Sequence, residues 1–305
     1  FKMPGNSYKG ELLALSPLEE EISENLEQHV IKLSKEIGDR SYKKPAALKA
    51  AADYIYEKLK CSGVKRQRQP FKTENKQAFE NLEASIQGDG NAEEILVVGA
   101  HYDSADCPGA NDNGSGVAAL IELTKLLSKE NLDRSVRLVA FPNEEHFFGS
   151  NGMGSYFYAN KCRERNDNLI GMICLETIGY YSEESKSQKF PAGLSQFYPD
   201  RGNFLAFIGN TNSKAFLKRT ISLFRKEACF PSEGLVAPSD LMGVSRSDHS
   251  QFWEHGYEAI MLTDTADHRY PYYHHPEDTH DKVDYECLAR IVVALAAVIK
   301  ELANG

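Results

Sequence analysis

The chain has 305 residues, 41% of them hydrophobic and 26% charged, with a formal net charge of −9. That length can bury a large core, as one big α/β domain or two ordinary ones, and the composition excludes a disordered or fibrous chain. The acidic balance argues against nucleic acid as a partner, because phosphate binding wants a basic face, and it suits a carboxylate-rich pocket.

The first elements are helical. SPLEEEISENLEQHVIKLSKEIG opens with Ser16 as N-cap, Pro17 in the first turn and Glu19 three residues after the cap, a capping box, and Gly38 follows as a stop. PAALKAAADYIYEKLKCSG predicts a second helix that ends before Gly63. Strand-like runs follow at 64–72 and 80–87, and EILVVGA at 94–100 is continuously apolar, as a strand covered on both faces is. The pattern then predicts a helix near 114–129, a strand at 135–142, a helix near 150–161 and a strand at 169–176. A strand near 204–208, a helix near 213–228, a strand near 258–263 and a final helix near 284–303 complete the chain.

Strands alternating with helices predict an α/β fold with a largely parallel central sheet. The longest apolar run, IVVALAAVI at 291–299, is too short to span a bilayer and is flanked by Arg290 and Lys300, so no membrane span is expected. Two stretches, 181–203 and 229–247, lack regular periodicity, and loops that long are functional or disordered. None of the six cysteines forms a CxxC pair, which argues against a zinc-thiolate site; the even count permits one or two disulfides without demanding them. The first residue is Phe1 rather than Met, and export to a periplasmic or extracellular space is the expectation.

The chemistry-bearing residues gather where strands end, the place at which open α/β sheets bind ligands. His101 follows EILVVGA, NEEH at 143–146 follows SVRLVAF, Glu176 closes LIGMICLE, and YYHHPEDT at 272–279 follows the strand near 258–263 after a loop. Each has an ordinary reading. A lone His-x-Asp such as His101–Asp103 is usually incidental, DNGSG at 112–116 alone is a turn into a helix cap, and Glu144–Glu145 alone is a solvated face. Glu176 at the end of an apolar strand fits that view least, because a buried carboxylate costs several kcal/mol unless it is paired or metal-bound. Imidazole and carboxylate donors without thiolates suit zinc, with manganese and cobalt as substitutes. One His and one carboxylate per metal, with a shared carboxylate between two metals, make a two-metal hydrolytic site; one more carboxylate must stay free as general base.

With these motifs in order from GAHYDS to YHHPEDTHDK, the chain resembles the zinc exopeptidases of the bacterial leucyl aminopeptidase and glutaminyl cyclase family (clan MH) over roughly its last two thirds. The resemblance implies a mixed, largely parallel central sheet sandwiched between helices in three layers. It implies one domain over 1–305, with the helices of 16–62 packed on it and loops 181–203 and 229–247 near the site. It implies two zinc ions, one held by His101, Asp112 and Glu176 and the other by Asp112, Glu145 and His274, with Asp112 bridging. Glu144 would be the general base, Asp103 would orient His101, Tyr273 would face the developing oxyanion, and Arg246 would lie on the substrate side with Asp248 in support. The substrate would be a peptide with a free N-terminus. Aromatic and apolar residues of the two loops (Tyr181, Phe190, Phe197, Tyr198, Phe230, Leu235, Leu241 and Met242) would line a pocket for its first side chain.

The chain departs from that family twice. Many of its aminopeptidases carry Asp where Glu176 stands, which leaves one zinc open as an alternative to two. The family often has Thr where His275 follows His274; His274 stands four residues before Asp278, as in the family's YHxxxD pattern, and His275 is the alternative ligand. Glutaminyl cyclase, with a single zinc, is the alternative activity, and a carboxypeptidase or dipeptidase of the same family a third. Cyclases of this family resemble one another in a Trp beside the zinc His, where this chain has Tyr273; its single tryptophan is Trp253. A metal-free binding module would have lost ligands that this chain keeps.

Overall fold

The computed structural model describes every residue except Phe1, Ala192 and Met242. The capping box closes in both directions at the start of α1 (Pro17–Ile31): the Glu19 N–H donates to the Ser16 hydroxyl and the Ser16 N–H donates to the Glu19 carboxylate at 2.7 Å. The helix then widens into a π turn over Lys32–Ile37 and ends at Gly38, whose φ of +85° glycine adopts without strain. α2 (Pro45–Lys58) leads into an antiparallel pair, β1 (Val64–Lys72) and β2 (Ala78–Ile86). There follow β3 (Glu94–His101), α3 (Gly116–Leu127), β4 (Ser135–Phe141), α4 (Gly154–Glu164), β5 (Asn168–Glu176), β6 (Leu205–Gly209) and α5 (Lys214–Glu227). The chain ends with β7 (Ser232–Val236), α6 (His249–Glu254), β8 (Ala259–Thr263) and α7 (Tyr285–Asn304).

All eight strands join one sheet in the order β1-β2-β4-β3-β5-β8-β6-β7. Its centre, β4-β3-β5-β8, is parallel throughout, while β2 and β6 run antiparallel to their neighbours β4 and β8. β3 is buried from Ile95 to His101. The two-residue period of a strand sends Leu96, Val98 and Ala100 to one face and Ile95 and Val97 to the other, and each face has its own core. On the first, α1, α2, α3, α5 and α7 lay down Leu26, Ile55, Leu120, Phe224 and Leu295. On the second, α4 and α6 bring Tyr158, Cys162 and Phe252 against Phe141 and Met261. The result is a three-layer α/β fold with a mixed central sheet. The apolar run of 291–299 is the core-facing part of α7, and burying each of its large aliphatic side chains is worth about 1.5–3 kcal/mol. Among the described residues no helix is long and apolar enough to cross a membrane.

Two expectations need correction. The stretch 229–247 is not irregular throughout, because it contains β7, which pairs in parallel with β6 at the sheet edge. Five residues reading SEGLV are too short and too mixed to declare a period. The helix placed near 150–161 starts only at Gly154, because the residues after β4 form a loop that turns back onto the sheet end. On the question the cysteine count left open, all six cysteines are free thiols, and Cys174 is buried as its apolar strand implied.

Candidate metal centre

The four parallel strands at the sheet centre all end on one edge, and each supplies the site. His101 is the last residue of β3 and Glu176 the last of β5. Glu144 and Glu145 follow β4 after Asn143, whose φ is +67°. The loop after β8 returns His274, itself at φ +60°. Non-glycine residues with positive φ are uncommon, and they cluster where the surrounding structure holds a functional geometry in place.

Asp112 sits between two donor sets. Its Oδ1 lies 3.3 Å from His101 Nε2, which is also 3.2 Å from Glu176 Oε2. Its Oδ2 lies 3.0 Å from His274 Nε2, which is also 3.0 Å from Glu145 Oε2. The ligand atoms of His101, Asp112 and Glu176, and those of Asp112, Glu145 and His274, fall within 4.8 Å of one another in each set. Both oxygens of Asp112, both ring nitrogens of His101 and Glu145 Oε1 are buried without a hydrogen-bond partner among the described residues. Buried polar atoms are rarely left that way, and a convergent N/O set without thiolate is the donor chemistry that zinc accepts. His275 lies outside both sets.

The electrostatics describe a strongly negative cavity. Burial alone would lower His274, yet the Asp112 and Glu145 carboxylates beside it push it up to about 10. Burial opposes ionisation of Asp112 as well, but the two imidazoles outweigh it and hold that carboxyl well below its ordinary value. Burial, reinforced by the charge of Asp112, pushes Glu145 up to about 8. Glu144 is only 7% exposed, and burial drives its carboxyl well above the ordinary range.

Around these residues lies a supporting layer. Asp103 is 3.5 Å from His101 Nδ1, and its two oxygens also accept the backbone N–H groups of Glu144 and Glu145, each at 3.1 Å. That clamp on the Glu–Glu turn has no sequence signal, because it depends on β3 lying beside β4. Ser247 donates to Glu176 Oε2 at 2.6 Å, and Asp278 accepts the N–H groups of Asn111 and Asp112 at 2.8 and 3.1 Å. Neither contact was foreseen. Asp248 is fully buried, and burial pushes its carboxyl up to about 7. The Tyr273 ring stacks on His274 at 3.8 Å, and burial raises its phenol far above the usual value. Arg246 pairs with Asp267 through both carboxylate oxygens, at 3.1 and 3.2 Å.

A pocket opens from Glu176 and Tyr273 along the sheet, with Phe190, Leu194, Tyr198, Leu235 and Leu241 among its walls. Its floor is the sheet itself, Ala206 and Ile208 of β6 and Met261 of β8, which sequence reading missed. Two of the expected loop residues are elsewhere. Tyr181 and Phe230 pack edge-to-face at 5.1 Å in a separate cleft near Leu12 and Leu13. Phe197 is half-exposed and does not line the pocket, and Met242 lies outside the described residues.

A three-layer α/β fold with such a cluster at the carboxyl ends of its parallel strands is that of a metallo-exopeptidase. The sequence profile described as Peptidase family M28 matches residues 81–299. YfbL of Escherichia coli K12, described as uncharacterized, is 36% identical over 281 residues, covering 88% of this chain and 85% of that protein. The chain belongs to peptidase family M28. A probable zinc metalloprotease of Pyricularia oryzae is 26% identical over 260 residues, and the chain spans only 50% of its length. The zinc aminopeptidase BSAP of Bacillus subtilis superposes with a TM-score of 0.74 at 16% identity, over 92% of this chain and 95% of that one. The glutaminyl cyclase of Fimbriiglobus ruber superposes with a TM-score of 0.68 at 20% identity, over 95% of this chain and 97% of that one.

Proposed function

We propose that the chain is an aminopeptidase that hydrolyses the N-terminal bond of peptides with a free amino terminus. The observation that carries this reading is the division of the two Asp112 oxygens between two His–carboxylate sets; Glu144 is in neither, though its carboxylate also lies within 4.8 Å of ligand atoms of His101 and Glu145. His101, Asp112 and Glu176 would hold one zinc, and Asp112, Glu145 and His274 the other. When bound, zinc supplies Lewis acidity, polarising the scissile carbonyl and making water easier to deprotonate. Glu144, whose proton affinity is raised by burial, takes the proton of the attacking water on its carboxylate and passes it to the leaving amine. Asp103 fixes the turn from which Glu144 projects. The Tyr273 phenol, held protonated by burial, donates to the carbonyl oxygen as negative charge develops. The carboxylate-rich rim accepts the N–H groups of the free amine, and the apolar pocket takes the first side chain.

Two features favour this reading over its alternatives. Trp253, the single tryptophan, donates its indole N–H to the Ala259 carbonyl at 2.9 Å and belongs to α6, not to a wall beside His274. Arg246 lines the pocket but already pairs with Asp267, which offsets the charge that a carboxypeptidase would use to bind a terminal carboxylate. The test combines zinc content with a substrate panel. Leucyl and phenylalanyl amides should be cleaved and their N-acetyl forms left intact, with about two zinc per chain. Cyclisation of N-terminal glutamine without cleavage, at one zinc per chain, would overturn the assignment in favour of a cyclase.

A further inference from the structure

Arg40 is fully buried, although it lies outside the span matched by the family profile. Among the described residues it forms no salt bridge. Its guanidinium instead donates to five backbone carbonyls: Nε to Tyr102 at 2.9 Å, Nη1 to Leu33, Gly38 and Pro108 at 3.0, 3.1 and 2.6 Å, and Nη2 to Gly109 at 2.8 Å. Its backbone N–H donates to the Ser104 hydroxyl, which in turn donates to the Cys107 carbonyl. One side chain thus ties the end of α1 to both ends of the loop that runs from His101 to Asp112. The fit is close. A Cβ at Gly109, where φ is +60°, would come within 2.9 Å of Arg40 Nη2 and 2.5 Å of the Asp112 carbonyl oxygen. Close by in sequence, Tyr42 packs on His146 and Phe147 of the second ligand loop at 5.1 and 5.3 Å, and Lys43 pairs with Asp106, which also meets His146.

We infer that Arg40 is a positioning residue for the metal centre, seating the 102–112 loop so that the two Asp112 oxygens face His101 and His274. A planar fork with five donors matches carbonyls converging from three segments. A lysine carries the same charge on one atom and cannot meet them all. Asp278 holds the Asn111 and Asp112 amides and Asp103 holds the Glu144–Glu145 turn, but the stretch Pro108–Gly109 just before the ligand is gripped by the Arg40 guanidinium. The positive charge alone acts in the other direction, since a buried cation near a metal ligand repels the metal.

That opposition makes the test sharp. The inference rests on the reading of Asp112 as a metal ligand, so Asp112→Ala is the control. Zinc affinity is measured by competition with a chromophoric chelator on wild type, Arg40→Lys, Arg40→Met and Asp112→Ala, each checked for fold by circular dichroism. Positioning predicts that Arg40→Lys and Arg40→Met both bind zinc about 10–100-fold more weakly, the range for losing a partner that orients ligands. Wild-type affinity in Arg40→Lys, or tighter binding in Arg40→Met, would overturn it. Undiminished zinc in Asp112→Ala would instead overturn the metal reading itself. If neither Arg40 variant folds, Ser104→Ala decides, because it leaves the guanidinium in place and removes the hydroxyl that joins the Arg40 amide to the Cys107 carbonyl. It should bind zinc at least about fivefold more weakly, the equivalent of one of its two hydrogen bonds, and unchanged affinity there would also refute the inference.

Discussion

His249, the first residue of α6, makes the stability of this protein sensitive to acid. It is fully buried, its Nε2 lies 2.8 Å from the Val244 carbonyl oxygen, and its Nδ1 has no partner. Burial lowers its pKa from 6.5 to about 4. A base whose pKa is lower folded than unfolded gives stability that is complete above the unfolded value and is lost as pH falls toward the folded one, because only the unfolded chain takes up the proton there. With those two pKa values, the contribution of His249 falls by on the order of 1 kcal/mol between about pH 7.5 and 5.5, and by about 2–3 kcal/mol at about pH 4.5. The comparison is wild type against His249→Gln, which keeps a neutral donor toward Val244. Trp253, the only tryptophan, packs edge-on against the imidazole at 4.6 Å, so its fluorescence reports urea unfolding directly. Other groups titrate over the same range, among them Asp248 and Asp264, both raised to about 7 by burial and acting with the opposite sign. They are common to both proteins and cancel in the difference. Stability curves that stay parallel from neutral to acid pH would refute the reasoning.

Glu144→Gln should lower turnover by about 10²–10⁴ while zinc content is retained, as for a lost acid–base group; near-full activity would remove Glu144 as the base. Asp112→Ala should lose most bound zinc, whereas Asp103→Ala should weaken zinc affinity only about 10–100-fold, both read by metal analysis after dialysis. Tyr273→Phe should reduce kcat on leucyl or phenylalanyl amides by about 10²–10³ with little change in KM, because the phenol is asked to act only as the oxyanion forms.

The candidate ligands were legible because each follows an apolar strand or its loop, and several carboxylates placed where chains leave a sheet are hard to explain as surface. The capping box at Ser16 and the stop at Gly38 were legible for a similar reason, since both are settled within a few residues. β7 was not, because an edge strand of five residues is stabilised by its partner β6 rather than by its own pattern. Tyr181 and Phe230 were misplaced on the pocket wall because an aromatic in an irregular stretch carries no direction until the chain around it is folded.

The sequence by itself determined the kinds of donor, their order along the chain and the α/β alternation that brings strand ends to one edge, all of which follow from local pattern. Only the tertiary structure decided that Asp112 turns one oxygen to each imidazole, that Asp103 clamps the Glu144–Glu145 turn, and that Arg40 holds the loop between them. Apart from His101 to Asp112, these contacts join residues 41 to 162 positions apart in the chain, as with Glu144 to Asp103 and His274 to Asp112. Hydrogen bonds of that kind are set by which strands lie side by side, and strand order is a property of the whole packed sheet that no short stretch of sequence encodes.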